Sequence, residues 1–160
     1  GDQSNPRDPH SSLLRMSLIH EDLTNSIIGA FYRVYNYLGY GFLEKVYENS
    51  LRLELETMAL RVVCQKPIKV YYRNQIVGEY FSDMVVEEKV IVEIKAAETI
   101  SQAHSEQLIN YLKATDIKVG LLLNFGKKPE FTRRIFEISK RNPATVIAQT
   151  AAIAERTDPR

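Results

Sequence analysis

The segment "SDMVVEEKVIVEIK", residues 82–95, carries acidic and basic residues inside two otherwise apolar runs. Asp83 lies in the first run, and Glu93 and Lys95 lie two positions apart in the second. Carboxylates held close together bind hard divalent cations such as Mg²⁺, whose remaining ligands are waters and substrate phosphate oxygens. A neighbouring lysine can position a water or stabilise charge that develops on a phosphate. These residue types suit metal-assisted phosphoryl chemistry, provided that the chain brings them together.

A β-hairpin is the arrangement that this segment predicts. Side chains alternate between the two faces of a strand, so the pairing register decides which residues meet. A loop of residues 87–89 pairs Val86 with Val90 and places Asp83 directly opposite Glu93. A two-residue loop would mix polar and apolar side chains on each face, because a one-residue slip moves every side chain to the other side. The polarity pattern therefore favours the three-residue loop and two adjacent carboxylates.

Two adjacent carboxylates need a compensating group, because like charges opposite each other destabilise a sheet. Lys95 would compensate them in a surface ion pair. Spacing alone favours that structural interpretation, since Glu and Lys are common residues and short motifs match by chance. A divalent cation would compensate the pair more effectively and would make the same residues a catalytic site.

Two predicted helices supply further candidate residues. Glu44 lies near the start of a helix after "GYG", where a lone carboxylate is ordinarily exposed and favourable to the helix dipole. In "HSEQLINYLK", helical spacing places His104, Gln107 and Tyr111 on one face. Taken singly, such residues more often form a solvated edge, a satisfied core tyrosine and a structural histidine than a binding site.

Hydrophobic periodicity predicts the elements that must position these residues. Their order is α, α, β, β, β, α, β, α, which indicates an α/β (α+β) fold with a mixed sheet of about four strands flanked by helices. The run "KVGLLLNF" is typical of a buried strand covered on both faces. The predicted helices span about residues 21–38, 43–58, 101–114 and 129–140, and the predicted strands span about 62–73, 75–86, 89–96 and 118–125.

The composition excludes few classes of protein. The chain has 160 residues, of which 44% are hydrophobic and 26% charged, and its net charge of +1 argues neither for nucleic acid nor for a membrane surface. The single cysteine, Cys64, cannot form an intramolecular disulfide, and we expect a buried, inert thiol. Neither a membrane-spanning run nor a secretory signal is visible, so we expect a cytoplasmic protein with no membrane partner.

Three stretches together resemble the GxxExxY family, within the PD-(D/E)XK nuclease superfamily: "GYGFLEKVYE", "FSDMVVEEKVIVEIKA" and "HSEQLINYLKATDIKVGLLLNFG". The resemblance covers roughly residues 20–138. Residues that match the family motif and the superfamily signature are Gly41, Glu44 and Tyr47, then Asp83 with Glu93, Ile94 and Lys95. Gln107 and Tyr111 match the QxxxY element of the RecB-type branch. The proline of the signature is Ser82 here, at a position that does no chemistry.

The resemblance implies a PD-(D/E)XK nuclease-like domain at residues 20–140 that hydrolyses phosphodiester bonds with Mg²⁺ or Mn²⁺, with DNA favoured over RNA. We expect residues 1–19 to be a disordered tail or an addition from expression, and residues 141–160 to be a C-terminal appendage.

The resemblance also implies roles for individual residues. Asp83 and Glu93 become metal ligands, Glu44 a further ligand or a base that orients the attacking water, and Lys95 the catalytic lysine. Gln107 and Tyr111 would line the site and hold nucleic acid or the lysine, with His104 at its rim.

Phosphate contact requires basic groups near the site, and the segment after the last predicted strand offers some. Lys127 and Lys128, with Arg133 and Arg134, would supply a substrate-binding patch. The alternative is an ordinary solvated helix face, and a net charge of +1 does not decide between the two.

Two other functions stay open. One is a non-catalytic nucleic-acid-binding or adaptor domain, because a fold can persist while its function changes. The other is an oligomerisation module that uses the aromatic segment "FYRVYNYLGYGF" as a contact surface, although these rings suit a core face better. A small nuclease domain would also be compatible with a homo-oligomer or a protein partner that helps to hold the substrate.

Overall fold

The computed structural model describes residues 19–137 continuously, together with Pro9. The predicted N-terminal tail and C-terminal appendage fall almost entirely outside this stretch and stay predictions. Among the described residues, no helix is both long enough and apolar enough to cross a membrane.

The described residues form three helices and one five-stranded sheet. The helices are α1 (Glu21–Leu38), α2 (Glu44–Thr57) and α3 (Gln102–Lys113). The strands are β1 (Val62–Tyr72), β2 (Gln75–Val86), β3 (Val90–Lys95), β4 (Val119–Phe125) and β5 (Pro129–Ile135), and their order in the sheet is β1-β2-β3-β4-β5. Neighbouring strands are antiparallel except for β3 and β4, which are parallel and joined through α3. The predicted mixed sheet flanked by helices is confirmed.

The register of the β2–β3 hairpin is also confirmed, with Val86 opposite Val90 and Val85 opposite Ile91. Residues that alternate along these strands enter different cores. Met84 belongs to the core that α1 and α2 cover, whereas Val85 and Ile91 belong to the core beneath α3. Burial of both faces explains why the paired segments, residues 84–86 and 90–92, are apolar throughout.

The last element differs from the prediction, because residues 129–135 form strand β5 rather than the start of a helix. The sheet therefore has five strands instead of about four, with Phe131 paired with Leu123 of β4. Every residue of β4 is buried, so a bare β4 edge would leave buried backbone groups without partners. The apolar pattern in "PEFTRRIFEISK" by itself fits either a helix or a strand. The need to pair the edge of β4 favours the strand.

The β1–β2 hairpin extends beyond the rest of the sheet. β2 pairs with β1 along nearly its whole length but with β3 only at residues 84–86. Residues 66–82, which we call the hairpin arm, therefore form a two-stranded ribbon in which β2 has an open edge. Such ribbons twist strongly, and this one carries Tyr80 to Tyr111 of α3, with 5.8 Å between the ring centroids.

Candidate active site

Asp83 and Glu93 lie side by side where β2 and β3 separate. The last strand pair before them joins Met84 with Val92. Beyond it, the Asp83 N–H donates to Glu93 Oε1 at 3.1 Å, and the Ile94 N–H donates to Asp83 Oδ2 at 2.7 Å. Each carboxylate thus replaces a main-chain carbonyl as the acceptor for the facing strand. The strands can diverge here without leaving these N–H groups unsatisfied.

Burial gives both carboxylates unusual acid–base properties. Glu93 is only 5% exposed, and loss of solvent together with the charge of Asp83 raises the pKa of Glu93 to about 8. Burial likewise raises the pKa of Asp83, opposed by the hydrogen bond from the Ile94 N–H and helped by the negative charge of Glu48. Both shifts report the same cause: these groups are costly to ionise unless a cation accompanies them.

Lys95 lies at the end of β3, partly exposed and near both carboxylates. Its positive charge lowers the pKa of Asp83 and of Glu93, but by less than burial raises them. Within the described part of the chain, neither carboxylate takes part in a salt bridge. The surface ion-pair interpretation therefore does not account for the pair, and ionisation of both groups leaves negative charge to be compensated.

A third carboxylate, which sequence reasoning missed, approaches from α2. Glu48 is 5% exposed. Its oxygens accept hydrogen bonds from Lys45 Nζ at 3.1 Å and from Gln65 Nε2 at 3.0 Å. Its charge is close enough to raise the pKa of Asp83. Glu44, one helical turn earlier, is exposed. The structure thus directs Glu48 inward from α2 and leaves Glu44 at the surface.

Gln65 holds Glu48 from an irregular point in β1. The neighbours of Gln65 in β1 pair with Met84 and Ser82, so Gln65 lies across from Asp83. Its φ of 53° lies in the left-handed region, which residues other than glycine rarely adopt. Backbone strain of this kind concentrates at functional sites. The sequence signal for Glu48 was its helical spacing from the buried Leu51 and Leu55, which marks a carboxylate on an apolar helix face.

Gly41 and Tyr47 fix the entry into α2. Gly39 and Gly41 have φ values of 68° and 110°, which a residue with a side chain adopts at a cost. The Tyr47 hydroxyl donates to the Gly39 carbonyl at 2.7 Å and accepts from the Phe42 N–H at 3.2 Å. The Tyr47 ring stacks on Phe125 with 4.3 Å between centroids. This turn sets where α2 begins and so which of its carboxylates faces the sheet.

The segment that follows Lys95 is anchored by β4 and by the turn after it. Asn124 is buried, and its side-chain amide donates to the Ala97 carbonyl and accepts from the Ala97 N–H, each at 2.9 Å. A Cβ at Gly126 would lie 2.3 Å from the Ala97 carbonyl oxygen. Two backbone segments therefore cross there, and the carboxyl end of β3 is held in place.

Helix α3 contributes the predicted polar residues, but in two different ways. Tyr111 is buried, and burial followed by the charges of the two carboxylates raises its pKa to about 12. Gln107 and Tyr111 line one cleft. His104 caps the helix instead: its N–H donates to Ser101 Oγ at 3.1 Å, while its Nδ1 accepts from the Ser101 N–H at 3.4 Å. Ser101 is thus the N-cap residue of α3.

The basic residues near β5 separate into two groups. Lys127 and Lys128 are exposed in the turn between β4 and β5. Arg133 donates to Thr24 of α1, and Arg134 hydrogen-bonds to α3. The arginines thus tie β5 to the helices on either side of the sheet, and the two lysines alone stay at the surface as candidate phosphate contacts.

The cysteine and the aromatic segment have structural explanations. Cys64 is partly buried rather than fully buried, and burial followed by the charge of Glu48 raises the pKa of its thiol, which fits an inert group. Phe31 belongs to the core, whereas Tyr37 is 91% exposed. The segment therefore forms a core face with some exposed rings, as expected.

A family model, rather than a similar solved structure, shows where this chain belongs. A search of curated proteins finds no match. The crystal structure of SSO0001 aligns with a TM-score of 0.45 and 14% identity, over 87% of this chain and 69% of that one. A family model described as the PD-(D/E)XK nuclease superfamily matches residues 21–135, which include every helix and strand described above. The chain belongs to the PD-(D/E)XK nuclease superfamily.

Proposed function

We propose that this protein is a divalent-metal-dependent nuclease that hydrolyses phosphodiester bonds of nucleic acid, with DNA favoured over RNA. The observation that supports this most strongly is the buried pair of Asp83 and Glu93. Their ionised forms lack a salt-bridge partner among the described residues. A bound cation would supply the missing charge, and membership of the superfamily supplies the class of reaction.

The donor set fits Mg²⁺ or Mn²⁺. Asp83 and Glu93 offer carboxylate oxygens, which hard cations prefer. Among the described residues, no three or more His, Cys, Asp or Glu side chains are grouped so as to hold a metal by themselves. A pair of carboxylates nevertheless suits Mg²⁺, which is commonly held by one or two carboxylates while waters and substrate phosphates fill its other positions. When bound, the metal would polarise the phosphate and lower the pKa of a coordinated water.

The chain's own residues would divide the remaining tasks. Lys95, beside the carboxylates and partly exposed, would donate to a phosphate oxygen and stabilise the charge that develops on it. Glu48 would complete the negative environment of the metal from α2. Glu44, exposed one turn earlier, would orient the attacking water from the solvent side. Gln107 and Tyr111 would contact the nucleic acid next to the reacting phosphate.

The proposal extends to the subgroup of the superfamily and to residues around the site. The motifs at Gly41, Glu44 and Tyr47 support a place in the GxxExxY family, and Gln107 with Tyr111 supports the RecB-type branch. Lys127 and Lys128 would contact flanking phosphates, where exposed lysines act as point charges. His104 would contribute through its cap on α3 at the rim of the site.

A non-catalytic adaptor on the same fold is the second candidate. A pure nucleic-acid binder has no need of adjacent buried carboxylates, whose desolvation costs stability. The raised pKa of Glu93 therefore favours the metal-dependent enzyme over the adaptor.

Calorimetry and cleavage assays would separate the two candidates. We would titrate Mn²⁺ into the wild type at about pH 8, where Glu93 is substantially ionised. Cleavage would be measured with single-stranded, duplex and branched DNA and with RNA. Lys95→Ala keeps every carboxylate, so it should bind Mn²⁺ without cleaving. Glu93→Gln should lose both properties. Nucleic-acid binding without any Mn²⁺ binding would identify an adaptor.

A further inference from the structure

A cleft of about 570 Å³ lies between the hairpin arm and α3. Besides two alanines, its walls are Val70 and Tyr80 from the arm and Glu106, Gln107, Asn110 and Tyr111 from α3. Tyr80 lies three residues before Asp83 on β2, so about 10 Å of strand separates the cleft from the candidate active site. A group bound in the cleft would therefore lie near a phosphate held at that site.

The cleft contains an aromatic ring that the described fold leaves partly exposed. The Tyr80 ring is 47% exposed although it stands beside Tyr111. The two rings are tilted by 44° and do not stack on each other. An exposed aromatic ring beside a nucleic-acid-cleaving site is a stacking platform for a base, since every nucleobase has a π-face.

The polar groups of the cleft suit a base better than a phosphate. Glu106 is the one charged residue among its walls, and its charge is negative, so a phosphate would be repelled. Gln107 and Asn110 present amide donors and acceptors of the kind that pair with the edges of bases. The volume falls within the range of pockets that enclose small organic groups.

We propose that this cleft binds one unstacked nucleobase, so that the protein acts on single-stranded nucleic acid or on unpaired segments of it. The inference rests on the proposed nuclease function and specifies its substrate class. Within a duplex, both faces of a base are covered by its neighbours, and entry into the cleft would require the base to flip out of the stack. Single strands, loops and flaps present bases without that cost.

Fluorescence anisotropy of labelled oligonucleotides in EDTA tests the cleft without requiring cleavage. Wild type should bind a single strand more tightly than a duplex of the same length, and matched deoxy- and ribo-oligonucleotides would show which sugar is preferred. Tyr80→Ala should weaken single-strand binding roughly 10-fold, because stacking on one aromatic ring is lost. Tyr80→Phe keeps the ring and should retain the affinity. Tyr72→Ala removes an exposed ring of β1 that does not line the cleft and should change nothing.

An abasic scan of the single strand sharpens the test. One abasic position should weaken wild-type binding by about the same factor as Tyr80→Ala, and the two changes together should weaken it no further. Equal binding of single strand and duplex by the wild type, or unchanged binding by Tyr80→Ala, would overturn the inference. A Tyr80→Ala variant that alters sedimentation but not oligonucleotide binding would assign the ring to self-association and would overturn it too.

The outcomes distinguish this inference from the proposed function. Normal oligonucleotide binding without cleavage in Mg²⁺ or Mn²⁺ would contradict the nuclease and leave the base cleft standing. Cleavage of duplex and single strand at equal rates, unaffected by Tyr80→Ala, would contradict the cleft and leave the nuclease standing.

Discussion

The two ends of the β2–β3 hairpin carry the same kind of side chain in opposite circumstances. At the turn, Glu87 accepts from the Arg61 N–H at 2.7 Å and lies 3.3 Å from its guanidinium, and these contacts lower the pKa of Glu87, the backbone hydrogen bond most of all. At the open end, Glu93 is buried against Asp83, and its pKa rises to about 8.

The difference separates a carboxylate whose ionised form stabilises the fold from one whose ionised form destabilises it. Arg61 compensates Glu87, so ionisation there favours the native state. Burial and a like charge oppose the ionisation of Glu93, so ionisation there works against it. Proteins keep such locally unfavourable groups at functional sites, where a ligand restores the balance.

The largest contrast between the two ends should appear in activity. Glu93→Gln removes a negative charge of the proposed metal site, and Lys95→Ala removes the group proposed to stabilise the transition state. We expect each to lower the rate of phosphodiester cleavage at least about 100-fold. Glu87→Gln, at the turn, should cleave at the wild-type rate. Cleavage that persists in Glu93→Gln and Lys95→Ala would remove the proposed mechanism.

A smaller effect should distinguish the two carboxylates of α2. Glu48 is buried and influences Asp83, so Glu48→Gln should weaken Mn²⁺ binding about 10- to 100-fold, as expected for groups that support a metal site. Glu44→Gln is the matched control on the preceding turn and should change Mn²⁺ affinity less. Calorimetric titration of both variants measures the difference. The opposite ranking would return the metal-supporting role to Glu44.

In the metal-free protein, Glu93→Gln should have a favourable effect on stability, opposite in sign to its effect on activity. At about pH 9 in EDTA, Glu93 is ionised and buried, and each unit of its pKa shift corresponds to about 1.4 kcal/mol. Glu93→Gln should therefore raise the free energy of unfolding by at least about 1 kcal/mol, since the amide oxygen can still accept from the Asp83 N–H. Glu87→Gln should give no such gain. Urea denaturation is the measurement, and a Glu93→Gln variant less stable than wild type would contradict the assignment.

The dependence of stability on pH follows from the same raised pKa of Glu93. The pKa of Glu93 is about 8 in the folded state and near 4.5 in the unfolded chain, so the folded state binds more protons between these values. Stability in EDTA should thus be greatest below about pH 4.5 as far as this group is concerned, and should fall as pH rises through about 8. Glu93→Gln should flatten that slope in thermal melts recorded across the range. Added Mn²⁺ should oppose the fall, because the metal binds the ionised form.

Short-range patterns predicted the hairpin and its register because the two faces of β2 and β3 bury different cores. The same reasoning missed β5, which pairs with the adjacent β4 and satisfies its buried backbone edge, and it wrongly predicted a helix at residues 129–140 in its place. Glu48 carried a sequence signal, but Glu44 stood in the recognised motif. Which of them points inward is decided by the turn that Tyr47 ties down, a contact with Gly39 that no local pattern reveals.

The crossing of backbone segments at Gly126 has a genetic consequence. Any side chain at this position must displace Ala97, and with it the end of the strand that presents Lys95. A screen of random variants for lost cleavage would therefore recover changes at a residue that has no functional group and lies more than thirty positions from Glu93 in sequence. Loss of cleavage alone would suggest a catalytic role for Gly126, although this residue only shapes the proposed site.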